Sequence, residues 1–167
     1  MDDLEDPNKV LMDGIDQSLV EKVCTASMDR DYCRSVLLSD PEGLTNVLYR
    51  LGLVATSASL KIIPGVNGEI GNVLIGIKDS DTRNRVQGCQ TDIDGINEDM
   101  RQANTYAGTQ SYNEEAQSLV SAENKIASCN TRFVALPTIQ SPIKSSTSKI
   151  EKLINICAVI VKMLKSS

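Results

Sequence analysis

The sequence predicts an all-α protein, an up-down-up-down four-helix bundle preceded by a short N-terminal helical hairpin and stapled by disulfides. Three observations support this fold. Apolar residues recur at steps of three and four along four long segments, most links between these segments are short, and no segment alternates as a strand does. Short links between long amphipathic helices are typical of antiparallel bundles.

The chain divides into an acidic lead-in, residues 1–17, and one domain, residues 18–167. The net charge is −5, and residues 1–16 carry all of it because they hold six acids against one lysine. Within the domain we predict the hairpin at 18–41 and the bundle at 44–165. No apolar run approaches the roughly 20 residues that a membrane span needs, so we expect no membrane partner.

The hairpin is predicted from capping and turn residues. Ser18 is suited to cap a short helix that runs through Val23. The turn at 29–31 leads to a second short helix that ends before Pro41. The first long helix follows from Leu44, and its apolar positions keep one phase across Pro64. We therefore expect a kink at this proline rather than a break.

The remaining bundle helices follow from caps and stripes. Asp81 is the predicted cap of a helix that ends at Gly108, and Ser111 is the predicted cap of the next helix. A crossing loop at 136–148 precedes the last helix, Lys149–Lys165. The two middle helices carry apolar stripes that we expect to be buried, namely Val86, Cys89, Ile93, Ile96, Met100, Ala103 and Ala107 on the first, and Ala116, Leu119, Ile126, Cys129 and Phe133 on the second.

The chain has five cysteines and no histidine, which favours a disulfide framework over a metal site. Counting alone leaves many pairings open. Cys157 lies in the apolar stripe of the last helix, so we expect it to be a buried free thiol. Cys24 and Cys33 are close enough to clip the hairpin, and Cys89 and Cys129 would then join two long helices. Such bridges persist outside the cytosol.

The residue types argue against an enzyme. Without histidine, a Ser-His-Asp or Cys-His arrangement is impossible. Asp94 and Glu98, four apart on one helix, are the candidate acid–base pair, but a solvated helix face explains them better. No cofactor or metal motif occurs, and we expect neither group. The aromatic share of 3% leaves few rings for base stacking, so no nucleic-acid partner is expected.

Several segments resemble the plant invertase and pectin methylesterase inhibitors. The stretch VCTASMDRDYCRSVLLSDP, residues 23–41, is similar to that family's opening hairpin, in which two cysteines about ten apart precede a leucine-rich turn and Asp-Pro. QGCQ around Cys89 and SCNTRF around Cys129 resemble its second-helix and third-helix cysteines. LINICAVIVKMLKSS resembles its closing helix. The similarity covers residues 18–165.

The resemblance implies a secreted inhibitor, located in the apoplast and cell wall or alternatively in the vacuole. It implies bridges Cys24–Cys33 and Cys89–Cys129, a free Cys157, and a monomer that covers the active-site cleft of its target in a non-covalent one-to-one complex. One branch of the family blocks pectin methylesterase with the outer face of the bundle. The other blocks acid invertase with a Pro-Lys-Phe motif in the link between the second and third bundle helices.

In this chain the corresponding link has Gln110, Ser111 and Tyr112 where Pro-Lys-Phe would stand, so the lysine and the stiffening proline are missing. The predicted target is therefore pectin methylesterase, with Tyr112 as the anchor, since tyrosine is enriched among interface hot spots. Acid invertase is the alternative, and a third possibility is a non-inhibitory ligand-binding or signalling bundle with a cavity near Pro64. The expected partner contacts are Asn97, Arg101, Asn104, Thr109, Gln110, Ser111, Tyr112 and Asn113.

Overall fold

A computed structural model describes residues 19–167, and both the acidic lead-in and the predicted Ser18 cap lie outside the described residues. Residues 19–26 form α1. The helices that follow are α2 (Arg30–Leu38), a 3-10 turn (Pro41–Leu44), α3 (Leu48–Ile75), α4 (Ser80–Gly108), α5 (Tyr112–Val134) and α6 (Lys144–Lys165). Residues 19–167 contain no strand. The predicted all-α class is confirmed.

Helices α3 to α6 form the bundle. Each contacts the next along the chain, and α6 closes the ring by packing against α3. All the α4 stripe residues predicted to be buried are buried, as is the α5 stripe apart from the half-buried Ala116. Gly52 allows α3 to approach α6 closely, since a Cβ at this position would lie 3.3 Å from Ile160 Cγ2. None of the helices within 19–167 is long and apolar enough to cross a membrane.

The hairpin α1–α2 docks on the middle of α6. The Asp29 carboxylate caps α2 by accepting from the Tyr32 amide at 3.0 Å, and it also pairs with Lys152 of α6 at 2.8 Å. The Met28 amide donates to Asn155 Oδ1 at 2.8 Å. These contacts attach the turn between α1 and α2 to α6 and so fix the orientation of the hairpin.

The structure contains the two disulfides that the resemblance implies. The Cys24–Cys33 bridge joins α1 to α2, and the Cys89–Cys129 bridge joins α4 to α5. Cys157 is a free, buried thiol whose Sγ lies 3.7 Å from Ser59 Oγ. Burial raises the pKa of this thiol to about 12, so it stays protonated and packs as a small apolar group.

Several predicted boundaries were wrong. Helix α3 begins at Leu48 rather than Leu44, which belongs to the 3-10 turn. It does continue through Pro64 without a break, as expected. Helix α4 is capped by Asp79 rather than Asp81, because the Asp79 carboxylate accepts from the Thr82 amide at 3.0 Å and from its hydroxyl at 2.6 Å. Asp81 instead pairs with Arg85.

The start of α6 also differs from the prediction. It begins at Lys144, so the crossing loop is shorter than residues 136–148. The helix has no side-chain cap, and its N-cap position is occupied by the buried Ile143. Apolar burial rather than a capping side chain therefore marks this helix start.

Arg85 holds the loop between α5 and α6, a role that the sequence did not indicate. Its guanidinium is buried and donates to both carboxylate oxygens of Asp81, at 3.3 and 3.1 Å. It also donates to the backbone carbonyls of Arg132, Ala135 and Pro137, at 2.9, 3.1 and 2.8 Å. Charge-assisted bonds to three carbonyls fix the end of α5 against the start of α4.

Candidate partner-binding site

The link between α4 and α5 reverses the chain within three residues, 109–111. The Ser111 amide donates to the Tyr106 carbonyl at 2.9 Å, and the Gln110 amide donates to Ala107 at 3.2 Å, which is the bonding pattern of a Schellman motif. Gln110 takes the left-handed position of that motif, with φ of 56°, where glycine is usual. The backbone of the link is therefore tied down by its own hydrogen bonds.

The predicted contacts in this link lie on one surface. Thr109, Gln110 and Asn113 are exposed, and Ser111 is half-buried. Ser111 stands at the N-cap of α5, as predicted, but its hydroxyl does not cap the helix and lies 2.9 Å from Thr109 Oγ1 instead. The surface carries hydroxyl and amide groups and no charge, so it is suited to hydrogen bonding rather than to ion pairing.

Tyr112 packs between the exposed link and the core. Its ring is half-buried and packs against the core, while its hydroxyl donates to Gln110 Oε1 at 3.4 Å. Burial raises the pKa of the Tyr112 phenol above its ordinary value, so the group stays neutral. Tyr112 therefore packs over the helix junction, and its hydroxyl edge is the part that a partner can reach.

The three predicted contacts on α4 have different surroundings. Arg101 is exposed and pairs with Glu98 at 2.6 Å. Asn104 Oδ1 instead accepts from the Thr56 hydroxyl of α3 at 2.7 Å, so this side chain serves helix packing. Asn97 is half-buried, and its Oδ1 is buried without a hydrogen-bond partner within residues 19–167. Of the three, only Arg101 is displayed to solvent.

A buried carboxyl group lies one turn into α5. Glu115 is 1% exposed, and its Oε2 is buried without a hydrogen-bond partner among the described residues. Burial raises the pKa of Glu115 from 4.5 to about 7. Sequence analysis did not single out this residue, although its spacing of four residues from Leu119 continues the buried face of α5 toward the link.

The candidate carboxylate pair does not form a common site. Asp94 accepts from Asn67 Nδ2 of α3 at 3.1 Å, whereas Glu98 pairs with Arg101. Both carboxylates are exposed. Residues 19–167 hold no group of three or more cysteine, aspartate or glutamate side chains placed to bind a metal. Asp94 and Glu98 therefore have separate partners on this face.

The fold is similar to that of two solved structures. A crystal structure of mutant form A of a pectin methylesterase inhibitor from Arabidopsis superposes with a TM-score of 0.71, at 13% identity, over 86% of this chain and 95% of that chain. A pectin methylesterase inhibitor from Arabidopsis thaliana superposes with a TM-score of 0.62, at 14% identity, over 89% of this chain and 97% of that chain. No protein-family profile and no curated protein matches the sequence. The chain therefore shares the fold of these inhibitors.

Proposed function

We propose that this chain is a secreted, non-enzymatic protein inhibitor of a pectin methylesterase, acting in the plant cell wall through a non-covalent one-to-one complex. The observation that carries the proposal is the extent of the structural match, which covers 95% of one solved inhibitor chain and 97% of another. Residues 18–167 would act as one inhibitor domain, and the two disulfides are consistent with an extracellular location.

The proposed contact surface is the α4–α5 junction, where Thr109, Gln110 and Asn113 meet the partner and Arg101 extends the contact along α4. The hydrogen-bonded link needs no ordering on binding, which limits the entropic cost of association. Tyr112 keeps the link in place and offers its hydroxyl edge. The hydroxyl and amide groups of the link can form hydrogen bonds with polar groups of an enzyme cleft.

A substitution that blocks the surface without disturbing the core tests this assignment. Asn113→Arg adds bulk and charge at an exposed position beside the link. Asn124→Arg makes the same change at an exposed position about 16 Å further along α5. We expect Asn113→Arg to weaken inhibition at least tenfold and Asn124→Arg to leave it within about twofold. Equal effects of the two variants on inhibition would show that the α4–α5 junction is not part of the interface.

Acid invertase is the second candidate target, and the link residues discriminate between the two enzymes. Gln110, Ser111 and Tyr112 offer no cation to the carboxylates of an invertase cleft. Both enzymes should therefore be assayed with the same preparation, and we expect inhibition of the methylesterase alone.

The third candidate, a ligand-binding bundle, was expected to have a cavity near Pro64. Residues 64–71 line none of the five main surface grooves found within residues 19–167.

A further inference from the structure

A groove of about 300 Å³ lies between α5 and α6, on helix faces that the proposed junction does not use. Helix α5 packs more extensively against α4 than against α6, which leaves this gap. Leu119 and Val161 are buried in the groove, and Val120 is 51% exposed beside it. The apolar lining consists of Ala116, Leu119, Val120, Ala158 and Val161.

The charges around this groove are separated along its length. Helices α5 and α6 are antiparallel, so the Ala116 end of α5 faces the Lys165 end of α6. Lys165 therefore lies toward one end of the groove, Lys162 lies near its middle, and Glu123 lies toward the other end, near Ala158. Among residues 19–167 neither lysine forms an ion pair. One end of the apolar groove thus presents Lys165, and Lys162 lies about one turn of α6 further in.

The dimensions of the groove limit the ligand. Residues 158–166 of α6 span about 12 Å at a rise of about 1.5 Å per residue. An extended alkyl chain advances roughly 1.25 Å per carbon, given carbon–carbon bonds of about 1.5 Å, so about ten carbons fit. We propose that the α5–α6 groove binds a free straight-chain carboxylate of about ten carbons, with its alkyl chain on the apolar lining and its carboxylate at Lys162 and Lys165.

Isothermal titration of the full disulfide-bonded chain with decanoate, below its micelle concentration, tests this proposal. We expect one site per chain. Octanoate should bind about tenfold more weakly, because each buried methylene contributes about 0.8 kcal/mol. Dodecanoate should gain much less, since its last carbons leave the groove. Decyltrimethylammonium, with the same chain and the opposite charge, should bind at least tenfold more weakly than decanoate.

Three variants locate the site. The double variant Lys162→Gln with Lys165→Gln should weaken decanoate binding at least tenfold, and Val120→Glu should abolish it. Lys149→Gln is the matched control on the same helix, because Lys149 pairs with Glu69 outside the groove, and it should leave binding unchanged. Circular dichroism of each variant establishes that the bundle is folded.

Several results would overturn the proposal. Decanoate binding that survives Val120→Glu, or that is matched by the cationic analogue, would show non-specific adsorption. If sedimentation shows that the chain is a dimer and that Val120→Glu makes it a monomer, the groove binds a second copy of the chain instead. Decanoate binding that appears only after removal of residues 1–17 would show that the acidic lead-in is the natural occupant of the groove. Binding of the chain to anionic phospholipid vesicles but not to free decanoate would show that the groove contacts a lipid surface instead.

Discussion

The Thr56 hydroxyl of α3 donates to Asn104 Oδ1 of α4 at 2.7 Å, so an amide that looked available for a partner instead joins two bundle helices. Ser57 Oγ donates to the same oxygen at 3.3 Å. A hydrogen bond between neighbouring helices fixes their register in a bundle whose other contacts are largely apolar. Asn104 is therefore a residue of the fold.

Replacing Asn104 should lower stability without changing inhibition. We expect Asn104→Ala to reduce the free energy of unfolding by about 1 to 2 kcal/mol, the usual cost of losing such a bond. Asn97→Ala is the matched control, because the Asn97 Oδ1 has no hydrogen-bond partner to lose in the part of the chain that the structure describes. Urea denaturation measures both variants. A drop in inhibition by folded Asn104→Ala protein would instead place Asn104 in the interface.

Arg85 should be among the most costly polar residues to remove. Arg85→Met keeps the length of the side chain but leaves Asp81 and three carbonyls at and beyond the end of α5 without their donor, and we expect a loss of about 3 kcal/mol. Arg101→Met removes only an exposed pair and should cost less than about 1 kcal/mol. Thermal or urea unfolding compares the two. Equal costs would show that the Arg85 contacts contribute no more than a surface ion pair.

Features that depend on residues close together in the sequence could be predicted, whereas contacts between residues distant in the sequence could not. The stripe from Val86 to Ala107 was read correctly because helical periodicity is local. The predicted cap of α4 was wrong because Asp79 and Asp81 lie only two residues apart at the start of the same helix, and the bond from the Thr82 amide to Asp79 is what identifies the cap. The contacts of Arg85 with the end of α5 were not predictable, since those acceptors are backbone carbonyls about 50 residues away in sequence. The hydrogen bond between Asn104 and Thr56 was not predictable either, because Thr56 lies on another helix.

Glu115 should make stability depend on pH. Its pKa is about 7 in the folded protein against 4.5 ordinarily, so between these values the folded state binds more protons than the unfolded state. Stability contributed by this group is complete below about pH 4.5, falls as pH rises, and reaches its minimum above about pH 7. The loss is about 3 kcal/mol at most.

The variant Glu115→Gln isolates this effect. It removes the titrating group, so the difference in unfolding free energy between variant and wild type should grow in favour of the variant from pH 4.5 to pH 7.5. Glu114→Gln, at the exposed neighbour, is the control and should leave the profile unchanged. A constant difference across this range would mean that the Glu115 carboxyl titrates normally in the folded protein.

The most direct test of the account is a titration of plant pectin methylesterase with the folded, disulfide-bonded chain at mildly acidic pH, followed by residual activity. We expect activity to fall linearly and to be lost near one inhibitor per enzyme, while acid invertase treated in parallel keeps its activity. Full methylesterase activity at a tenfold molar excess of the chain, with both disulfides intact, would contradict the proposed inhibitor function.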